Sequence, residues 1–337
     1  VVGTLGLLDE NERKMVKGII VNRFRGDASL FEDGVEFLKK KTGIDSVWVV
    51  PDFGSIEIDS EDSLALDKLI DPQNVVDIDK EKVNIAVIRF PHISNFTDFA
   101  PLVREPCANL FYMARVPHEK ELEGVDLLIL PGTKNVRADL EWLKSFGWAE
   151  RIKKYYDSGG RVFGICGGYQ ILGNEISDPH GVEGKPGSAE GLGLLDIKTI
   201  MEESKKLSRI KGKWLSSGLK VSGYEIHMGR TELGADAEPV IELEGGGTGR
   251  YEGAHDKKGR VWGSYLHGLF DEGIFRNSFL GSIKEGVCAK HGQKSQEISA
   301  ASYKQTQYDM LAEHFKKHID VERLIEIAGL KGTYADG

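Results

Sequence analysis

The sequence predicts an α/β fold built around a doubly wound parallel sheet. Short apolar stretches alternate with helix-like stretches over residues 18–50, and the alternation resumes at residue 83. The stretch VNIAVI at residues 83–88 has the apolar character of a strand that is buried on both faces. Many of the 41 glycines follow apolar stretches, which is where α/β folds place ligand-binding loops. These three observations favour parallel strands joined by helices.

Composition narrows the class of protein. The chain has 337 residues, of which 40% are hydrophobic and 29% charged, values typical of a protein with ordinary packed domains. Its apolar runs are shorter than the roughly 18–20 residues that span a bilayer, and no signal peptide precedes the first strand. A formal net charge of −9 argues against a general nucleic-acid binder. We therefore expect a cytoplasmic protein without membrane or nucleic-acid partners, and its oligomeric state stays open.

The cysteines point to the same compartment. Cys107, Cys166 and Cys288 are too few and too scattered to predict a disulfide framework or a zinc site. We therefore expect free thiols in a reducing cytoplasm and no bound metal.

The first elements suggest part of a longer domain. The predicted elements are a helix over 2–16, a strand over 18–22, a helix over 30–41 and a strand over 47–50. Two strands cannot bury a core by themselves, and the chain starts at Val1 inside a helical pattern. We expect residues 1–70, with a helix near 63–69, to be the C-terminal remainder of a domain. Residues 71–82 are then a linker.

A second α/β domain is predicted over residues 83–280. Its predicted strands are 83–88, 109–113, 125–130 and 161–165, with helices over 137–146 and 149–157. The pattern then becomes β-rich, with predicted strands over 191–199, 219–228, 240–243 and 260–266. Residues 281–337 are expected to form a C-terminal extension with amphipathic helices over 301–329.

The motif RVFGICGGYQ at residues 161–170 predicts a nucleophile elbow. Such a sharp strand-to-helix turn needs small neighbours, and Gly167 and Gly168 follow Cys166 directly. The sulfur would lie at a helix N-terminus, which favours thiolate over thiol. Cys166 is thus a candidate nucleophile, and the alternative is a buried structural cysteine.

A cysteine nucleophile needs a proton acceptor, and His267 is the candidate. It ends the strand-like run VWGSYLHGLF at residues 261–270 and precedes a glycine. On such a turn an imidazole can take the thiol proton and later protonate a leaving amine. His227, with Glu225 two positions before it, is the alternative base or a supporting residue of the active-site wall.

Six motifs together resemble the cobyric acid synthase type of class I glutamine amidotransferase. They lie at residues 22–27, 89–99, 130–135, 164–172, 223–230 and 265–271. The resemblance covers residues 1 to about 330. The segment at 93–99 is the most discriminating, because the related enzyme that acts earlier on the corrin ring lacks it.

The resemblance implies an ATP-dependent carbon–nitrogen ligase of cobalamin biosynthesis. Glutamine supplies ammonia, and a dethiobiotin synthetase-like ATP-binding domain activates carboxylates of an adenosylated corrinoid a,c-diamide. The product is adenosylcobyric acid. ATP and Mg²⁺ are implied for the full-length enzyme. No Gly-x-x-x-x-Gly-Lys-Ser/Thr motif occurs in these residues, so this chain alone is not expected to bind ATP competently.

The resemblance also implies roles for individual residues. Cys166 would form a glutamyl thioester with His267 as general base and acid. The implied oxyanion hole and glutamine pocket comprise Gly132, Thr133, Gly167, Tyr169 and Gln170. Alternatively, Gly132 belongs to a plain strand-ending turn and Tyr169 to the core.

Three further positions are less determined by the sequence. Asn22 matches a nucleotide-base contact, or simply ends a strand. Many class I amidotransferases carry a glutamate two residues after the histidine, where this chain has Leu269. The group that orients His267 is therefore not identified. Arg89 and Asp98 are expected to meet the corrinoid or a domain interface.

Two other functions stay open. One is cobyrinate a,c-diamide synthase or another ligase-coupled glutaminase, against which segment 93–99 argues. The other is a catalytically silent binding module, against which the intact Cys166 and His267 argue.

Overall fold

The computed structural model describes residues 1–54, 56, 77–245, 249–291 and 299–330. The chain divides into two units: Val1–Ile58 with Ser302–Gly337, and Asp59–Ala301. We call them the first and the second unit. The helix expected near residues 63–69 and most of the expected linker lie outside the described residues.

The first unit contains a parallel pair of strands. Its elements are α1 (Val2–Leu7), α2 (Glu10–Met15), β1 (Ile19–Phe24), α3 (Glu32–Thr42), β2 (Val47–Pro51), most of α9 (Ala300–His318) and α10 (Val321–Ile327). The prediction of a single helix over 2–16 is wrong, because α1 ends and Asp9 caps the start of a second helix, α2. Its carboxylate accepts hydrogen bonds from the backbone N–H of Asn11 and Glu12 at 2.8 and 2.9 Å, as an N-cap does.

The C-terminal helices pack within the first unit. His314 on α9 forms a hydrogen bond from its Nε2 to the carbonyl oxygen of Pro51 at 3.0 Å. One or two helices are predicted over 301–329; the structure has two, α9 and α10, and groups them with β1 and β2. The domain bounds of the sequence analysis stay a prediction.

The second unit contains one large mixed sheet with a parallel half. Five parallel strands, in the spatial order β4-β3-β5-β6-β13, form this half: β3 (Val83–Ile88), β4 (Ala108–Met113), β5 (Leu127–Leu130), β6 (Val162–Ile165) and β13 (Val261–Ser264). Every residue of β3, β5 and β6 is buried. The helices of this half are α4 (Ala100–Val103), α5 (Val136–Ser145), α6 (Trp148–Asp157) and α7 (Gly167–Leu172). The predicted α/β class is confirmed.

The sheet continues into an antiparallel half. Its strands are β9 (Ile197–Trp214), β10 (Lys220–Leu233), β11 (Ala237–Leu243), β12 (Tyr251–Asp256) and β14 (Leu266–His267), with β7 (Glu175–Asp178) and β8 (Gly187–Glu190) beside β9. The sequence predicts only parts of β9 and β10. The middle of β9 is exposed and rich in charged residues, so it lacks the apolar pattern that marks a strand.

A disulfide bond corrects one expectation. Cys107, which precedes β4, is bonded to Cys288, which follows α8 (Gly273–Ile283), across 181 residues of sequence. The expectation of three free thiols is therefore wrong, and only Cys166 is free. Such a pairing depends on tertiary proximity, which cysteine spacing does not show. The cytoplasmic location stays a prediction. Within the described ranges, none of the helices has the length and apolar character that crossing a membrane requires.

Candidate active site

The predicted elbow is present between β6 and α7. Cys166 has φ 51° and ψ −108°, a backbone conformation that residues other than glycine rarely adopt. Gly168 permits the turn, since a Cβ there would lie 2.0 Å from the carbonyl oxygen of Leu130. Held strain of this kind is typical of functional residues.

The thiol of Cys166 faces a cavity. This cavity has a volume of about 700 Å³, and its lining includes Cys166, His267, Thr133 and Gln170. The Sγ atom lies 3.8 Å from the carbonyl oxygen of Ile226 on β10. The free cysteine and the candidate base therefore border the same space.

His267 is oriented by Asp98. The Nδ1 atom of His267 lies 2.7 Å from Oδ2 of Asp98, and the other carboxylate oxygen accepts the backbone N–H of Gly268 at 3.0 Å. His267 is 1% exposed and Asp98 5% exposed. Asp98 lies in a 3₁₀ turn, Phe96–Phe99, that follows β3. It is thus the missing orienting group, and the structure corrects its expected place at the corrinoid or a domain interface.

Electrostatics favour the charged form of His267. Burial disfavours an imidazolium, but the hydrogen bond with Asp98 and the interaction with Cys166 outweigh burial and raise the pKa of His267 to about 10. Because Nδ1 is bonded to Asp98, Nε2 is the ring nitrogen that stays available for a second partner. An imidazolium beside a thiol is the arrangement that sustains a thiolate nucleophile.

Tyr224 stacks on the face of the His267 imidazole. Strand β14 pairs with β10 so that His267 lies opposite Tyr224. The two rings stack with centroids 5.3 Å apart, and the Tyr224 hydroxyl accepts a hydrogen bond from Nδ2 of Asn95 at 3.0 Å. The ring of His267 is therefore held from two sides, by Asp98 and by Tyr224.

The predicted oxyanion residues meet at the elbow. A Cβ at Gly167 would lie 2.5 Å from Cγ2 and 3.2 Å from the backbone nitrogen of Thr133. A Cβ at Gly132 would lie 3.3 Å from Cε1 of His267. The Gly132–Thr133 turn, which follows β5, therefore lies between the cysteine elbow and the imidazole.

The two predicted pocket residues separate in the structure. Gln170 lines the cavity and donates from Nε2 to the Tyr265 hydroxyl at 2.9 Å. Tyr169 is 1% exposed, packs edge-on against Tyr265 at 5.2 Å, and is not among the described residues that line this cavity. The core alternative therefore describes Tyr169 better than the pocket role.

His227 lines the cavity, and Glu225 is buried next to it. Nδ1 of His227 is hydrogen-bonded to the carbonyl oxygen of Gly229 at 2.7 Å, and its ring stacks on Tyr265 at 3.7 Å. Its Nε2 lies 3.7 Å from Glu225, which also pairs with Lys206. Burial raises the pKa of Glu225, but the nearby His227 ring and the Lys206 ammonium outweigh burial and lower it. These contacts fit a supporting wall better than a second base.

The structure does not bring Asn22 or Arg89 into this cavity. Asn22 is within β1 of the first unit, and its Oδ1 accepts the backbone N–H of Arg23 at 2.9 Å. Arg89 donates to the carbonyl oxygen of Phe90 at 2.9 Å. Neither is among the described residues that line the cavity.

The role of Asp98 beside His267 was not predicted, although the sequence contains a signal for it. Asp98 follows β3, and β3 lies beside β5, which leads into the Gly132–Thr133 turn. Carboxyl ends of neighbouring parallel strands meet at one edge of the sheet. An acidic residue soon after β3 was therefore a candidate for the same edge as Thr133.

As a set, these residues can perform acyl transfer. A cysteine with a histidine base, a carboxylate behind the base and backbone donors beside the sulfur are the parts that nucleophilic attack on a carbonyl requires.

Comparison with known proteins agrees with this chemistry. The sequence profile of the CobB/CobQ-like glutamine amidotransferase domain matches residues 84–275. The chain is 44% identical over 333 residues to a cobyric acid synthase from Chlorobaculum tepidum, and 42% identical over 330 residues to one from Pelodictyon phaeoclathratiforme. These alignments cover 98% and 97% of this chain.

The chain is shorter than these relatives and spans 64% and 63% of their lengths. A solved glutamine amidotransferase aligns with 59% of this chain and 97% of its own length, at 18% identity and a TM-score of 0.42. The domain match covers more than half of this chain and includes Cys166 and His267. The chain therefore belongs to the CobB/CobQ-like glutamine amidotransferase family.

Proposed function

We propose that this chain carries the glutaminase part of a cobyric acid synthase. The observation that supports it most is that Cys166 and His267 line one cavity while Asp98, buried behind it, holds Nδ1 of His267 at 2.7 Å. Glutamine hydrolysis at this site would release ammonia for amide synthesis elsewhere in the full-length protein.

The first step is attack by sulfur. The Cys166 thiolate adds to the side-chain amide carbon of glutamine, and the C=O π electrons move onto oxygen. Backbone N–H groups of Gly167 and Thr133 stabilise this oxyanion. Asp98 supports the positive charge on His267, because its carboxylate accepts a hydrogen bond from the Nδ1–H group.

The second step releases ammonia. The oxyanion collapses, the C–N bond breaks, and His267 gives its Nε2 proton to the departing nitrogen. The products of this step are ammonia, a glutamyl thioester on Cys166 and a neutral imidazole.

Water completes the cycle. Neutral His267 takes a proton from water, and the hydroxide attacks the thioester carbon. Glutamate leaves, and the Cys166 thiolate and the imidazolium are restored. The net reaction is glutamine plus water giving glutamate plus ammonia.

The amide-forming half of the proposal concerns the full-length protein. There, ATP with Mg²⁺ would activate carboxylates of an adenosylated corrinoid a,c-diamide as acyl phosphates, which ammonia converts to amides. The present residues contain no Gly-x-x-x-x-Gly-Lys-Ser/Thr motif. In the part of the chain that the structure describes, no group of three or more His, Cys, Asp or Glu residues is placed to hold a metal. Asn22 remains the candidate contact to the nucleotide.

A cobyrinate a,c-diamide synthase is the second candidate. Segment 93–99 argues against it, because this segment supplies Asp98 to the proposed active site. The relatives named above are also cobyric acid synthases. Amidation assays of the full-length protein with different corrinoid acids distinguish the two candidates.

The proposal is tested by Cys166→Ala in the full-length protein. We expect glutamine-dependent ammonia release and amidation to vanish, while amidation with added ammonium salt persists. Cys166→Ser serves as a matched variant that keeps the shape of the side chain with a weaker nucleophile. Loss of both activities together in Cys166→Ala would show a structural cysteine. Undiminished glutamine hydrolysis would overturn the assignment of the nucleophile.

A further inference from the structure

A buried carboxylate lies behind the active site without bordering its cavity. Asp139 on α5 has an exposure of 0%. Its Oδ1 lies 2.7 Å from Nδ1 of His92, and its Oδ2 accepts a hydrogen bond from the Thr133 hydroxyl. A buried charge is costly unless it is hydrogen-bonded. These two contacts therefore explain how the Asp139 carboxylate is accommodated, and they tie it to two separate loops.

The two loops also pair with each other. Residues 92–94 follow β3, and residues 132–134 follow β5. The backbone N–H of Ser94 donates to the carbonyl oxygen of Gly132 at 2.9 Å, and that of Lys134 donates to the carbonyl oxygen of His92 at 3.0 Å. An antiparallel bridge joins Ile93 and Thr133 between them. Asp139 thus fastens a short two-stranded structure at both of its sides.

Both loops reach the proposed reaction centre. Thr133 touches the elbow at Gly167, and Gly132 lies beside the imidazole of His267. The loop over 92–94 leads within four residues to Asp98, which bonds His267. A shift of this paired structure would therefore move the oxyanion donors and the carboxylate behind the base.

We propose that Asp139 is a positioning residue which, through Thr133 and His92, holds the Gly132–Thr133 turn against the Cys166 elbow. This inference rests on the proposed glutaminase function. Neither Asp139 nor His92 is among the described residues that line the cavity. Asp139 therefore acts through Thr133, whose hydroxyl also accepts the backbone N–H of Asn135 at 3.1 Å.

The test is steady-state glutamine hydrolysis by Asp139→Ala in the full-length protein. Displacements of about 1 Å can cost on the order of 100-fold in rate. We expect kcat to fall about 10- to 100-fold while KM for glutamine stays within about twofold, because the oxyanion exists only after attack. The kcat of Asp139→Asn should fall less than that of Asp139→Ala, since the amide still offers one acceptor and can donate to a re-oriented His92.

A pair of variants at Thr133 tests the link itself. Thr133→Val removes the hydroxyl with little change of shape, and it should reduce kcat as Asp139→Ala does. Thr133→Ser keeps the hydroxyl and should restore most of the activity. A merely structural role for the site would not separate these two variants in kcat at equal KM.

Two controls separate positioning from loss of folding. Asp256→Asn changes another buried carboxylate, which accepts the Tyr156 hydroxyl at 2.7 Å away from the cavity lining. It should leave kcat unchanged. Alkylation of Cys166 by iodoacetamide passes through no oxyanion, so its rate should be the same in Asp139→Ala and wild type.

The outcomes are distinguishable. Activity of Asp139→Ala within about twofold of wild type, or equal losses in Thr133→Val and Thr133→Ser, would overturn the positioning role while the glutaminase function stands. Slower alkylation of Cys166 in Asp139→Ala than in wild type would place the effect at the thiol, and would also overturn the positioning role. A wild-type protein that hydrolyses no glutamine would overturn the proposed function and this inference with it.

Discussion

The two halves of the second unit's sheet position their functional groups by different means. Cys166 follows β6 in the parallel half, and glycines within a few residues permit its strained turn. His267 lies on β14 in the antiparallel half and depends on Asp98, which is 169 residues away in sequence. The proposed nucleophile is thus positioned by local sterics, and the proposed base by contacts that only the folded chain creates.

Burial follows the same division. The strands β3, β5 and β6 are buried along their whole length, whereas the middle of β9 is exposed. A strand buried on both faces leaves little freedom for the turn that follows it. The antiparallel half instead uses single side-chain contacts, such as Tyr224 on His267. Changes to such contacts should impair catalysis more than folding.

The largest effect is expected where the two halves meet, at Asp98→Asn. The amide preserves the shape but allows the wrong imidazole tautomer, so kcat for glutamine hydrolysis should fall about 10³- to 10⁴-fold with little loss of stability. Combining Asp98→Asn with His267→Ala should add no further loss, because Asp98 acts through His267. Independent, additive losses would contradict this account.

Gly168→Ala should break the local turn of the parallel half. The added Cβ would lie 2.0 Å from the carbonyl oxygen of Leu130, so we expect a loss of about 3 kcal/mol in the free energy of unfolding, measured in urea. Gly281→Ala on α8 is the matched control, because nothing lies within 4 Å of its added Cβ. It should be neutral or slightly stabilising. Equal effects of the two variants would mean that the elbow is not sterically constrained.

Glu252 on β12 gives the antiparallel half a pH-dependent stability. Burial raises its pKa to about 7, although Ser264 and Tyr265 donate hydrogen bonds to it. Between the unfolded value of 4.5 and about 7, the folded state holds a proton that the unfolded state has lost. The free energy of unfolding should therefore fall by up to about 3 kcal/mol as pH rises through this window, and then level off.

The control for this pH dependence is Glu252→Gln, which does not titrate. Urea unfolding of wild type and variant between pH 4.5 and 8 should show the decline in wild type alone. A parallel decline in Glu252→Gln would assign the titration to another group.

The smallest effect is expected for Tyr224→Phe. This change removes only the hydroxyl that accepts from Asn95, and the ring can still stack on His267. We expect the free energy of unfolding to fall by at most about 1 kcal/mol, and kcat to fall by less than about threefold. Tyr224→Ala removes the ring as well and should lower kcat further. If Tyr224→Phe were as slow as Tyr224→Ala, the hydroxyl rather than the ring would hold the imidazole.

The contrast between the halves also explains what the sequence could predict of the fold. The continuous apolar strand Val83–Ile88 was predicted with its observed bounds, and α5 and α6 were predicted within one residue at each end. Strand β9 was largely missed because its charged middle is held by pairing with β10. The helix over 2–16 was predicted too long because the cap at Asp9 was overlooked.

By itself, the sequence determined the elements whose causes are local. The glycines around Cys166 dictate its turn, the apolar strands dictate a parallel sheet, and the motifs identify the amidotransferase family. Only the tertiary structure decided which distant groups meet: Asp98 with His267, Asp139 with His92, and Cys107 with Cys288. The physical reason is that hydrogen bonds and disulfides act over a few ångströms, and sequence separation does not report distances between segments that the fold brings together.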